Sequence, residues 1–303
     1  MPITSAQWAD ALDPIVRFRF NLAFNRRASL IDTLFSVEGS MSSDEQISGV
    51  GAIGIDAWDN YENANQIPEV EFDQGYKKTF VHEEKIVDFS IERKLADDNK
   101  YPELFRIPER IGDSASQKRE VDAASVFNNA VSSSFVGGDG VALLSDSHPH
   151  SPQKTGVTQD NKFALSLTKA NVRTVREAMM AFTDDNNQKM AVTPSLLLVP
   201  PALEDDALPI VDSLQDPDNA NNTSNPMFRR FRVLTWHYLT DSNRWFLIDE
   251  SLMKQSLHWF NRVPLSVYRR AGDDNTVRAY WRSYMRYSFG WSDWRWIAGS
   301  EPS

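Results

Sequence analysis

Residues 280–291, YWRSYMRYSFGW, put Trp281, Met285, Tyr287, Phe289 and Trp291 on alternate positions, with Arg282 and Arg286 between them. Successive side chains of a strand point to opposite faces, so a period of two lays the apolar groups on one side and the arginines on the other. The stretch therefore reads as a half-buried antiparallel strand that needs a large apolar surface opposite it. Seven of the nine tryptophans lie from Trp236 onward, which concentrates that demand at the C-terminal end. An aromatic stripe of this kind is read as core. The cations interleaved with aromatics in RVLTWHY and YWRSYMRYSF are accordingly read as structural, and not as a base-stacking platform.

The rest of the chain must supply what this strand packs on. In the stretch after DDNKYP, Leu104, Ile107, Ile111, Val121, Ala124, Phe127 and Val131 recur at combinations of three and four, which predicts one long helix. Pro108 and Gly112 mark a potential break in it. Thr168 is placed to cap a second helix carrying Val172, Val175, Met179 and Phe182. PSLLLVPPALEDDALPIV reads as a buried strand followed by a helix whose first turn is acidic. Strands are expected in RFRVLTWHYL and RWFLID around the turn TDSN, after a polar excursion at 215–227.

Two segments lack a core of their own. In residues 1–60, SAQWADAL reads as a short helix, and VRFRFNLAF alternates Phe18, Phe20, Leu22 and Phe24 as an extended segment would. Residues 66–96 read as a long polar hairpin in which Val87, Phe89 and Ile91 share one face and Asp88, Ser90 and Glu92 the other. Isolated two-stranded hairpins are marginal in water, so this apolar stripe is expected to need a neighbour.

Composition excludes several classes. Zero cysteines rule out disulfides, thiolate metal sites and a cysteine nucleophile, and fit folding in a reducing cytoplasm. No run of about 18 apolar residues is present, and Asp10, Asp13, Arg17 and Arg19 interrupt any signal-peptide core. A net charge of −10 argues against a protein that grips nucleic acid phosphates over a broad surface. The pair His148 and His150, with Asp146 close by, offers metal-ligand types and would suit a metal-dependent hydrolase. Pro149, however, prevents the shared helical face such a pair uses, so SDSHPH is read as a solvated turn. GVGAIG at 49–54 matches G-x-G-x-x-G but lacks the flanking strand and helix that make a dinucleotide site, and is read as a flexible turn.

The order of these parts resembles the major capsid proteins of tailed bacteriophages, of the Hong Kong 97 fold, and most closely the Mu-type major head subunit group. DGVALLSDSHPH at 139–150 is similar to that group's Asp-Gly, hydrophobic pair and Ser-x-x-His-Pro segment. GYKKTFVHEEKIVDFSIERKLADDNKYPEL is similar to its extended-loop strands and the Asp-Asp pair that opens its spine helix. LTKANVRTVREAMMAFTDDN, PSLLLVPPAL, WFLID and YMRYSFGWSDWRW extend the likeness from about residue 50 to the C-terminus.

The resemblance implies an α+β chain with an N-terminal arm (1–60), an extended loop (61–99), a peripheral domain with the spine helix (100–135), an apical domain (136–258) and a return to the peripheral domain (259–303). It implies a non-enzymatic shell subunit without cofactor or metal, forming hexamers and pentamers around double-stranded DNA that it does not read by sequence. Inter-subunit contacts are expected from Val87, Phe89, Ile91, Phe18 and Phe20. A portal and a separate scaffolding protein are expected partners; the lack of a long charged segment before the arm implies a separate scaffold, or none. No membrane role is expected, and the location implied is the virion, assembled in the host cytoplasm. Lys77 and Lys78 lie in the expected loop, but no local motif names an Asn partner, so crosslinking is not expected. An encapsulin-type compartment shell is the alternative within the same fold.

Overall fold

The computed structural model describes residues 5–50, 74–153, 156–215, 224–270 and 277–302. In chain order the elements are α1 (Ser5–Phe24), α2 (Ile31–Leu34), β1 (Ser36–Gly39), β2 (Asp44–Val50), β3 (Gln74–Val81), β4 (Glu83–Glu92), α3 (Arg93–Asp97) and α4 (Tyr101–Asn128). There follow β5 (His148–Pro149), β6 (Thr158–Gln159), β7 (Lys162–Phe163), α5 (Lys169–Met179), β8 (Leu196–Val199), α6 (Glu204–Asp212), β9 (Arg232–Thr235), β10 (Trp245–Ile248), α7 (Glu250–Ser256), β11 (Leu257–Arg270), β12 (Arg278–Trp291) and β13 (Ile297–Ser300).

Two sheets organise the molecule. The first has the order β1-β11-β12-β4, with long β11 and β12 antiparallel at its centre and β4 at one edge. The predicted period-two stripe is its inner face, where Ala279, Trp281, Ser283, Met285 and Tyr287 are buried in alternation. The second sheet, β7-β13-β10-β8-β9, is flanked by helices, and β8, β10 and β13 are buried along their whole length. Its strands read as continuous apolar runs because both faces are covered. The larger core cluster joins this sheet to the end of α4 and to Trp259, Tyr287 and Trp291 of the first sheet. A smaller one holds α1, the start of α4, and Phe89, Ile91 and Trp281.

Four local expectations are corrected. VRFRFNLAF is not extended: it completes the 20-residue helix α1, in which Ala9, Leu12, Val16, Phe20 and Ala23 are buried at spacings of three and four. The alternate aromatics misled because a helix also carries Phe18 and Leu22, but on its outer side. Second, α4 does not break at Gly112. It runs unbroken because the missing Cβ is what lets α1 approach: a Cβ there would fall inside the contact distance of the Phe20 carbonyl oxygen. Val121 of the expected stripe faces outward, and Glu120 is buried in its stead, satisfied by Ser29 Oγ, Leu30 N and Trp236 Nε1.

Third, β3 and β4 do not form a hairpin with each other. β3 pairs with β2, and β4 pairs with β12 from Glu83↔Tyr287 to Glu92↔Arg278. The polar face of β4 misled because its apolar partners lie almost two hundred positions away. Fourth, β9 and β10 do not pair around the TDSN turn, since β8 lies between them, parallel to β9 and antiparallel to β10. Thr168 does cap α5, accepting from Asn171 N at 3.2 Å. Sheet membership also crosses the expected segment boundaries: β4 of 61–99 sits in the first sheet, and β13 of 259–303 in the second. Most of GVGAIG, the first part of the expected hairpin and most of the 215–227 excursion lie outside the described residues.

Candidate functional site

Three outward features carry side chains that the subunit itself leaves uncovered. The first is the hairpin β2–β3, whose strands pair antiparallel from Asp44↔Val81 to Val50↔Gln74, with no third strand among the described residues. The strands approach so closely that a Cβ on Gly75 would lie 2.8 Å from the Gly49 backbone. Its base is fixed to the body. Phe80 is buried against the rings of His258 and Phe260, at 6.0 and 5.4 Å between centroids. Lys78 Nζ donates to the Val136 carbonyl at 2.6 Å.

His82, the single residue between β3 and β4, is buried with Nε2 2.9 Å from Ser40 Oγ and Nδ1 2.9 Å from Ser288 Oγ. Because Ser40 gives its own proton to Glu45, it accepts from His82 Nε2–H, and Nδ1 then accepts from Ser288. That arrangement calls for a neutral ring. Burial, with Arg286 and Arg262 nearby, pushes the His82 pKa below its ordinary value in the same direction.

The second feature is the outer side of α1, where Ile15, Phe18 and Leu22 are 41%, 63% and 50% exposed. Spacings of three and four place them on one stripe, opposite the face that packs on α4. The third is the free edge of β4 with its charged surface. Asp88 accepts from Arg282 Nε at 2.6 Å and Nη2 at 2.8 Å, and from Arg270 Nη1 at 2.8 Å. These hydrogen bonds, Arg282's foremost, hold its carboxyl at about 2. Glu92 pairs with Arg278, and Tyr284 donates to Glu84, so a polar ladder runs along the outer face of β4 and β12.

The structure separates the five residues expected at subunit contacts. Phe20 and Ile91 are fully buried, and Phe89 is 7% exposed and stacked on Trp281 at 5.8 Å, all three inside the chain's own core. Val87 and Phe18 are half or more exposed and face outward. The α1 stripe and the Asp88 cluster were missed by sequence reasoning. The first was hidden by reading period two where the period is 3.6, and the second needed the pairing of β4 with β12.

SDSHPH is not a solvated turn. His148 and His150 are buried, and Pro149 sits in the short pair β5–β6. His148 Nδ1 donates to Asp139 at 2.7 Å, Nε2 lies 3.2 Å from Asn161 Oδ1, and the ring stacks on Trp294 at 4.2 Å. Asn161 in turn ties Leu143 to Ile297 through its amide. Asp146 is exposed, and among the described residues no group of three or more His, Cys, Asp or Glu could hold a metal ion. The segment joins α4 to the second sheet; its polar residues close on one another.

Solved structures of the same architecture are shells. The capsid of bacteriophage JBD30 decorated with minor capsid protein trimers matches with a TM-score of 0.56 at 13% identity, over 71% of this chain and 92% of that one. The mature capsid of bacteriophage PhiM1 matches with 0.57 at 12% identity, over 91% and 88%. A virus-like particle from Pyrococcus furiosus matches with 0.56 at 13% identity, over 95% and 98%. No curated protein matches in sequence. The fold is that of the Hong Kong 97-type shell subunits, which a virus-like particle shares with phage heads and which therefore does not separate the two. The sequence does: the profile of the phage capsid protein family matches residues 79–300, well over half of the chain, and the chain belongs to that family. It is a structural, shell-forming capsid protein of a phage.

Proposed function

We propose that the chain is the major subunit of a tailed-phage head, repeated as hexamers and pentamers in an icosahedral shell around double-stranded DNA, and that it has no catalytic activity. The observation that carries this reading is the pairing of a rooted two-stranded hairpin with an exposed apolar stripe on α1. Both are costly on a lone subunit and are covered only when copies meet. Val87 and Phe18 are the contact residues this reading keeps; Phe20, Phe89 and Ile91 support contacts from beneath. Residues 136–258 with β13 would form the apical domain. α1, α4, β4, β11 and β12 would form the peripheral one, with the extended loop leaving from His82.

A net charge of −10 fits a shell that does not grip the phosphates of the DNA it would enclose. A portal and a separate scaffolding protein complete the proposed set of partners, with assembly in the host cytoplasm. The test is replacement of residues 46–77 by a short Gly-Ser turn, which keeps Ser40, Phe80 and His82. The variant should unfold cooperatively as a soluble subunit and form no closed shells by electron microscopy. Normal shells, or a subunit that no longer folds, would overturn the role given to the hairpin.

A further inference from the structure

Between α1, α4 and the β11–β12 pair lies a cavity of ≈ 250 Å³ lined by Arg119, Asn21, Asn25, Asn261, Pro264 and Tyr287 among others. It opens where β11 slips register between Asn261 and Ser266 around Pro264. The Arg119 guanidinium sits between two rings, 5.6 Å from the Phe24 centroid and 5.3 Å from that of Trp259. It makes no hydrogen bond or ion pair with any described residue. Of its acidic neighbours, Glu120 is engaged by Ser29, Leu30 and Trp236, while the Asp32 carboxylate bonds to no described residue and acts on Arg119 only through its field. Burial pushes its pKa below the ordinary value, against the opposing pull of Tyr287, Asp32 and Glu120.

The other polar groups of the cavity are donors in waiting. The side-chain amides of Asn21 and Asn25 bond to no described residue, and Asn261 uses only its oxygen, accepting from Trp259 Nε1 at 2.9 Å. A planar guanidinium beside two aromatic rings, with neutral amides around it, matches the two oxygens of a carboxylate. A phosphate dianion fits poorly, because Arg119 is the one cation among the described lining residues, enough to pair a single carboxylate charge and not a second.

We propose that the Arg119 cavity is a carboxylate seat, filled in the shell by an acidic side chain of a second copy of this chain. The source is argued from charge. Between β2 and β3 the sequence runs through Asp56, Asp59, Glu62, Glu69, Glu71 and Asp73 without one lysine or arginine. Such a run, joined in sequence to β2 and β3, needs cationic partners once copies crowd together. This step rests on the shell reading.

The test uses glutarate as a side-chain mimic. With the unassembled subunit, glutarate at constant ionic strength should change tryptophan fluorescence saturably, Trp259 being the reporter. Arg119→Gln should weaken that response by at least about tenfold, as expected when a bidentate cationic partner is lost. Arg119→Lys, which keeps the charge and loses the fork, should fall between. Phosphate at equal ionic strength should give no saturable response. In assembly, glutarate should slow shell formation of the natural sequence, and should leave unchanged both Arg119→Gln and a chain whose six acids are Asn or Gln.

A response equal to that of sodium chloride, or one that survives Arg119→Gln, overturns the seat. A stronger response to phosphate overturns the ligand class. Assembly that stays glutarate-sensitive after the six acids are neutralised overturns the source. So does a free subunit that binds glutarate only after neutralisation, since its own run would then fill its own cavity. Closed shells from Arg119→Gln leave the shell reading intact, so the two ideas fail separately.

Discussion

Gly112 sets two effects of known sign against each other. It lies near the middle of the 28-residue helix α4, where glycine-to-alanine replacement gains about 0.8–1.0 kcal/mol from helix propensity alone. The packing predicts the reverse. An added Cβ would press on the Phe20 carbonyl oxygen and lie 3.1 Å from Ala23 Cβ and 3.2 Å from Phe24 N. These are mostly backbone atoms of α1, so no rotamer change relieves them and the whole helix must retreat. Overpacking of this kind costs about 1–3 kcal/mol. The retreat also loosens Phe20 and Val16, both fully buried, whose complete burial is worth about 1.5–3 kcal/mol each. The net expectation for Gly112→Ala is a loss of about 1–2 kcal/mol once propensity is subtracted. Urea unfolding of the unassembled subunit measures it, and amide exchange locates it in residues 9–23. A gain of about 1 kcal/mol would mean that propensity decides and that α1 does not pack on α4 as described.

Three further outcomes follow from buried or paired polar groups. His148→Ala strands the Asp139 carboxylate and part of Asn161 in the interior, so thermal unfolding should move down by the equivalent of about 2–4 kcal/mol, while the metal content of the purified protein stays unchanged. His82 has a folded-state pKa below its unfolded value, so the unfolded chain takes up the proton first. Stability should be full above about 6.5 and decline as pH falls toward the folded value, a decline that His82→Gln removes in a pH series of urea midpoints. Asp88, with its carboxyl held at about 2, contributes stability above the ordinary carboxylate range that is lost as pH falls through about 2. Because Asp88 and Arg282 are about a third exposed and Arg270 about half, Asp88→Asn should shift the neutral-pH midpoint only slightly, and by less as salt rises.

What could be read from the sequence was what local chemistry decides. The stripe from Trp281 to Trp291, the run Leu196–Val199, the Thr168 cap and the existence of one long helix at α4 all depend on near neighbours in the chain, and each is present, although α4 ends at Asn128, short of Val131 in the expected stripe. The hairpin reading of 66–96 failed because strand pairing is a long-range choice: Phe89 meets Trp281, and nothing near residue 89 signals that partner. Phe18 and Phe20 were placed on one face because two aromatics at alternate positions suit a strand, although Val16 and Ala23 already carry the helical period. At 148–150, residue type suggested solvent or metal. The partners that bury the imidazole, Asp139, Asn161 and Trp294, come from both sides of it in the chain, and Trp294 from a distant element. The overall fold was legible through the order of motifs, and the surface was not, since which face of α1 or β4 stays bare is settled only after the core is built.

On this reading the chain builds a closed shell from the surfaces its own fold leaves bare. Electron cryo-microscopy of the protein expressed with its neighbouring head genes tests it most directly. Hollow icosahedral particles are expected, in which β2–β3 of each copy lies on a neighbour and the Ile15, Phe18 and Leu22 stripe is covered. Particles in which the hairpin and that stripe both face solvent, or a preparation that yields only small open oligomers, would contradict it.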